Sequence, residues 1–194
     1  MARPRQFDED DVVERATRLF WRRGYHATSV RDLGSELELR PSSLYRTFTD
    51  KHALFLRALD HYRQTESAEA ERRLAAAGPT PEVLRDWMVW MVREKNARGC
   101  FVVNTATELG TAHADVRQRT DAAFAVTREA LTTLLRRGVA TGEFPAGLDV
   151  PATAGLLFTT LLGLEVRERA GHELDELIAT IDAVLAQLGL RPQA

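Results

Sequence analysis

The 194-residue chain has a single cysteine, Cys100, and two lysines against 24 arginines. One thiol excludes an internal disulfide, and with it the small secreted scaffolds that depend on such staples, so a reducing cytoplasmic setting is expected. Long apolar runs are also missing. The longest uncharged stretch, Val150 to Leu164, is 15 residues with three threonines and a proline, short of the roughly 20 apolar residues that span a bilayer. It reads as a core helix, and no membrane partner is expected. The opening MARPRQFDEDD has no apolar run behind its basic residues, unlike a secretory leader. Catalytic signatures are absent too. The five histidines form no His-x-x-x-His pair, no Cys/His cluster has zinc spacing, and there is neither a phosphate-cradling glycine loop nor a Gly-x-Ser-x-Gly elbow. No enzyme activity, metal or cofactor is expected.

What is present is helical period from end to end. The 44 % apolar content supports a sizeable core. Val12, Val13, Ala16, Leu19 and Phe20 recur at helical spacing behind an acidic first turn, and Gly24 stands where a left-handed stop is wanted. Thr28 or Ser29 caps a short helix through Leu37. Pro41 opens another through Phe48. Asp50 caps a long helix from Lys51 to about Ala76. AAAGPTP, residues 75–81, is the clearest break. Beyond it run a helix from Pro81 to about Asn96, the segment GCFVVNTATELG, a long helix from about Ala114 to Thr141, and two more, from about Ala152 to Ala170 and Glu173 to Leu188. The fold class is all-α.

Charge is uneven. The chain is net -2, yet Met1 to Arg63 carries twelve basic against ten acidic residues, and Arg40 to Arg57 alone is net +3. A positive field on one small unit suits an anionic partner. The segment LRPSSLYRTFTDK, residues 39–51, concentrates it. Two short helices braced by an earlier one make a helix-turn-helix. The second puts Ser42, Ser43 and Arg46 on one face, while Leu44 and Phe48 point inward. Hydroxyls, an arginine and an exposed helix N-terminus suit phosphates and base edges in a major groove about 12 Å wide.

The stretch GYHATSVRDLGSELELRPSSLYRTFTDKHALF resembles the DNA-binding domain of the TetR family of transcriptional regulators. The match rests on Gly24-Tyr25, Thr28-Ser29, Leu44-Tyr45, Phe48, and Lys51 with Leu54. The resemblance implies an N-terminal three-helix helix-turn-helix head (1–50), a connecting helix (51–76) and a larger helical ligand-binding and dimerisation domain (80–190). It implies phosphate contacts from Thr28, Tyr45 and Lys51, and base contacts from Arg40, Pro41, Ser42, Ser43 and Arg46. Two departures stand out. Glu38 replaces the usual turn glycine, and His52 replaces the acidic residue that often follows the lysine.

In the larger domain, Trp87, Trp90 and Met91 give a bulky, soft lining suited to a core or an apolar pocket. Asn104 and Glu108 lie among apolar residues and need buried partners or a ligand. A small, mostly apolar effector is expected against Trp87, Trp90, Met91, Cys100, Phe101, Asn104, Glu108 and Phe124. Cys100, at an apparent helix start near Lys95 and Arg98, is alternatively an oxidant or electrophile sensor. Leu156, Leu157, Thr160, Leu161, Gly163 and Leu164, with Ile181 and Leu185, form an apolar face for a homodimer. The functional expectation is a ligand-responsive repressor on a roughly palindromic double-stranded operator. The rival is a helical small-molecule binding protein with a vestigial helix-turn-helix.

Overall fold

The computed structural model describes residues 8–93 and 97–190, and every regular element among them is helical. The end of the Pro81–Asn96 helix and Lys95 fall outside the described residues.

Helix α1 (Glu9–Arg23) starts at Asp8, whose carboxylate accepts the Asp10 N–H. Its buried face, including Val12, Ala16, Leu19 and Phe20, packs on α4 (Lys51–Tyr62). Between them lie α2 (Val30–Leu37) and α3 (Pro41–Phe48). Ser29 and Asp32 close a capping box on α2, leaving Thr28 outside the cap. Glu38 ends α2 in the left-handed region, φ 55° and ψ 32°. A Cβ there costs roughly 1–2 kcal/mol. The Arg15 guanidinium offsets part of that by bonding the Glu36 carbonyl and, at 2.9 Å, the Glu38 carboxylate. The turn thus keeps the shape a glycine would give it.

The connecting helix runs unbroken from Lys51 to Leu74 but changes pitch within it. After α4 the chain makes a π-helical turn, Arg63–Ser67, before α5 (Ala68–Leu74). Thr65 Oγ1 donates to the His61 carbonyl at 3.0 Å, and the Ala68 N–H reaches back to Arg63.

The body comprises α6 (Thr80–Arg93), α7 (Phe101–Leu109), α8 (Ala114–Ala140), α9 (Val150–Arg169) and α10 (Leu174–Gln187). Its core gathers Leu84, Met88, Leu131, Leu135, Leu157 and Ile181. The head core does not stop at α4: Phe101, Val102, Leu109 and Val116 belong to it. Head and body therefore share packed residues along the α4–α7–α8 seam.

Candidate nucleic-acid interface and effector cavity

Arginines crowd the head, and most are neutralised locally. Arg15 pairs with Asp11 and Glu38, Arg18 with Glu14, Arg22 with Glu36, Arg23 with Asp32, and Arg57 with Glu9. Among the described residues of α1 to α3 and their turns, Arg31, Arg40 and Arg46 have no acidic partner, and all three are exposed. Arg40 is the N-cap of α3 and Arg46 lies in its last turn. The α3 start has Pro41 at its first position and no side-chain cap, so its dipole faces solvent beside exposed Ser42 and half-buried Ser43. Tyr45 is 44 % exposed, an unusual state for a large aromatic ring. Apart from Arg31 on α2, the unpaired positive charge and the exposed polar groups therefore gather on α3. Arg31 escaped the sequence reading because its significance lies in lacking an ion pair, which only the fold reveals.

One expected phosphate contact requires correction, and a second has an additional role within the protein. Thr28 is fully buried, and its hydroxyl donates to the Gly24 carbonyl at 2.7 Å, so it presents nothing to a phosphate. Lys51 Nζ donates to the carbonyls of Tyr25 at 3.0 Å and Thr28 at 2.9 Å, and lies 4.0 Å from the centre of the Tyr25 ring. Burial pulls its pKa below the ordinary lysine value, while Glu108 acts in the opposite sense. As placed, Lys51 fastens the α1–α2 loop.

Glu108 grips the same loop from the body. Its carboxylate accepts the N–H of Tyr25 at 2.9 Å and of His26 at 2.7 Å. That approach explains Gly24: a Cβ there would lie 2.8 Å from Glu108 Oε2, and φ is +84°. Loop N–H groups go to a carboxylate and loop carbonyls to an ammonium. Glu108 is consequently a head-to-body clamp, not a cavity residue as the sequence suggested.

A mostly apolar cavity lies between the connecting helix, α6, α7, α8 and α9, with about 550 Å³ of empty space including its open mouth. Trp90, Met91, Cys100 and Phe124 line it, as do Val103, Phe158, Leu161 and Leu162. Tyr62, Glu66 and Ser67 bring the end of α4 and the π turn to its wall, and Glu165 enters from α9. Tyr62 donates to Cys100 Sγ at 3.7 Å; burial first, then Cys100 and Glu165, push the phenol well above its usual pKa. Three other expected ligand residues are elsewhere. Trp87 is 1 % exposed in the body core. Phe101, equally buried, packs edge-on to Phe55 and Tyr62 in the head core. Asn104 donates to the Arg98 carbonyl at 2.8 Å. It helps hold the 97–99 loop, whose Ala97 and Gly99 N–H groups bond Glu168. Helical period showed that these residues face inward, but not toward which of two adjoining cores.

The expected dimer face also divides. Leu157, Leu161, Leu164, Ile181 and Leu185 are buried within the protomer, because α9 and α10 pack on α6 and α8. Leu156 is 49 % and Val166 54 % exposed. With exposed Thr159 and Gly163 they form an outward stripe on α9 flanked by half-buried Thr160, while Ala179, Ala183 and Ala186 are exposed on α10.

Residues 12–58 match the family described as "Bacterial regulatory proteins, tetR family", and residues 81–187 match "Tetracyclin repressor-like, C-terminal domain". The chain is 30 % identical over 181 residues to the HTH-type transcriptional repressor ComR of Escherichia coli (strain K12), covering 91 % of this chain and 86 % of the relative. It is 30 % identical over 193 residues to the uncharacterized HTH-type transcriptional regulator YezE of Bacillus subtilis (strain 168), covering 97 % and 100 %. A solved cysteine mutant of the TetR-family regulator CifR, complexed with 26 bp double-strand operator DNA, superposes with a TM-score of 0.85 at 31 % identity over 95 % of this chain and 98 % of that one. The fold and the unpaired arginines on α3 define a helix-turn-helix transcriptional regulator. The chain belongs to the TetR family, as a DNA-binding regulator of the repressor type. No described helix is long and apolar enough to cross a membrane.

Proposed function

We propose that the protein acts as a homodimeric repressor. Each head lays α3 in a major groove of a two-fold-related operator, and a small, mostly apolar effector in the cavity releases it. The observation that carries this reading is the pair of exposed arginines without acidic partners at the two ends of α3, Arg40 at its uncapped start and Arg46 in its last turn, with Arg31 likewise unpaired on α2. Arg40, Pro41, Ser42, Ser43 and Arg46 meet base edges or adjacent phosphates, and Tyr45 and Arg31 meet the backbone. Operator DNA bound to CifR, at 31 % identity over nearly the whole chain, supports the same use of this head.

One head offers few base contacts, so two act together. The second protomer covers Leu156, Thr159, Thr160, Gly163 and Val166. Gly163 has nothing within 4 Å of the position a Cβ would take, which lets a partner helix approach closely.

Release follows from the cavity's place beside the π turn. Occupancy against Trp90, Met91, Cys100 and Phe124 presses on Tyr62, Glu66 and Ser67, and so on α4, which carries the head. Effector and operator then oppose each other by linkage, typically through about 1–3 kcal/mol of coupling. The walls are mainly apolar, with Glu66 and Glu165 among the described lining residues, so the effector carries apolar bulk and few polar groups. An anisotropy titration of labelled upstream DNA tests this reading: specific binding that disappears in Arg46→Ala supports it. Equal affinity for upstream and random DNA in the wild type refutes it.

A further inference from the structure

We propose that His52, His113 and Asp115 bind one divalent transition-metal ion of the imidazole-preferring kind at the seam between head and body. The three residues are remote in sequence and the fold brings them together. His52 is the second residue of α4, His113 is the N-cap of α8, and Asp115 lies in the first turn of α8. One ligand atom from each lies within 4.8 Å of the others. Around a tetrahedral ion with bonds of about 2.0–2.1 Å, such atoms stand about 3.3 Å apart. Side-chain adjustments of about 1 Å therefore close the site without moving the backbone.

Two of the donors meet each other and the third is unpartnered, while Asp115 Oδ1 accepts the Val116 N–H at 2.9 Å. His52 Nε2 is 2.7 Å from Asp115 Oδ2, while its Nδ1 is buried with no hydrogen-bond partner. With one bond holding it, the ring is not locked in orientation. The His113 ring makes no hydrogen bond and stacks on His52, centroids 5.0 Å apart at 29°. Tyr25 walls the site edge-on to both imidazoles. The nearby cation, Lys51, is directed at the Tyr25 and Thr28 carbonyls. Two imidazoles and one carboxylate favour Zn²⁺-like ions over Mg²⁺ or Ca²⁺, which prefer all-oxygen shells. All three residues are partly exposed, so solvent can supply the fourth ligand.

A bound ion joins the start of α4 to the start of α8, and so fastens the head to the body beside the Glu108 clamp. This inference rests on the fold and not on the regulatory reading. Untagged full-length protein, stripped with chelator, is titrated with Zn²⁺ against a chromophoric competitor and separately with Co²⁺. One Zn²⁺ per chain, a visible Co²⁺ ligand-field band and a raised melting temperature are expected. His113→Ala and Asp115→Asn should each lower affinity at least about tenfold and abolish the band, while Cys100→Ser leaves both intact. Wild-type affinity and an unchanged band in the His113→Ala/Asp115→Asn double variant overturn the proposal, as does binding that disappears only in Cys100→Ser. Binding of Mg²⁺ with affinity equal to Zn²⁺ also overturns it.

Discussion

Removing the Glu108 carboxylate should loosen the head on the body. Glu108→Ala deletes the acceptor for two backbone N–H groups, from Tyr25 at 2.9 Å and His26 at 2.7 Å. A hydrogen bond to a charged group contributes about 1.5–3 kcal/mol. The His26 end is exposed and water can replace its acceptor, so the combined loss is about 2–4 kcal/mol. For a domain of this size that lowers the melting temperature by roughly 5–15 °C. Glu108→Gln keeps one acceptor oxygen and should lose about half as much. Gly24 supplies an internal check through a double-mutant cycle. Gly24→Ala adds a Cβ 2.8 Å from Glu108 Oε2 at φ +84°. Its cost should be larger in the wild type than in Glu108→Ala, where only the backbone strain of about 1–2 kcal/mol remains. Thermal melts of the four proteins read this directly. If Glu108→Ala melts within a degree of wild type, or the Gly24→Ala cost is the same in both backgrounds, the clamp does not hold the head as described.

Three further outcomes follow from the same geometry. Lys51→Met should lower the melting temperature and weaken binding to every DNA sequence alike, because it frees the Tyr25 and Thr28 carbonyls; a change in salt slope without loss of stability would return Lys51 to the phosphates. The capping box of α2 should fail in acid. The Ser29 hydroxyl and N–H, helped by Arg23, hold the Asp32 carboxyl down at about 2 from 3.8, so its stabilisation is complete above about pH 4 and lost as the pH falls toward 2. Asp32→Asn should flatten that part of the wild-type melting profile, and an unchanged profile would contradict the assignment. On the outer face of α9, Leu156→Glu with Val166→Glu should yield monomers by sedimentation with an intact circular-dichroism spectrum, whereas Leu157→Glu should unfold the protomer; dimers persisting in the first pair would move the interface elsewhere.

Local signals carried most of the fold. Asp50 and Pro41 set helix starts that agree with the side-chain cap of α4 and the first position of α3. The helix-turn-helix was legible because its composition is local: Leu44 and Phe48 inward, Ser42 and Arg46 outward. The π turn was not, since nothing in the composition of residues 63–67 sets them apart from ordinary helix. Partner identity was less legible still. Glu108 and Asn104 were recognised as polar groups needing partners, but those partners, in the head and the 97–99 loop, are set by tertiary contact. Helical period likewise could not separate Leu157 from Leu156 on α9, one buried and the other facing out. His52, set apart only by the missing acidic residue, acquires a carboxylate partner from α8.

The central claim, that α3 reads DNA in two symmetric copies, is tested most directly by selecting binding sites from a random duplex pool with wild type and Arg46→Ala in parallel. The account predicts that wild type enriches an inverted repeat with half-sites one or more helical turns apart. It also predicts that Arg46→Ala loses preference at the same position in both halves, where an arginine contact discriminates by roughly 1–3 kcal/mol. A wild-type pool that enriches no repeat, or an Arg46→Ala pool with every position preserved, would contradict it.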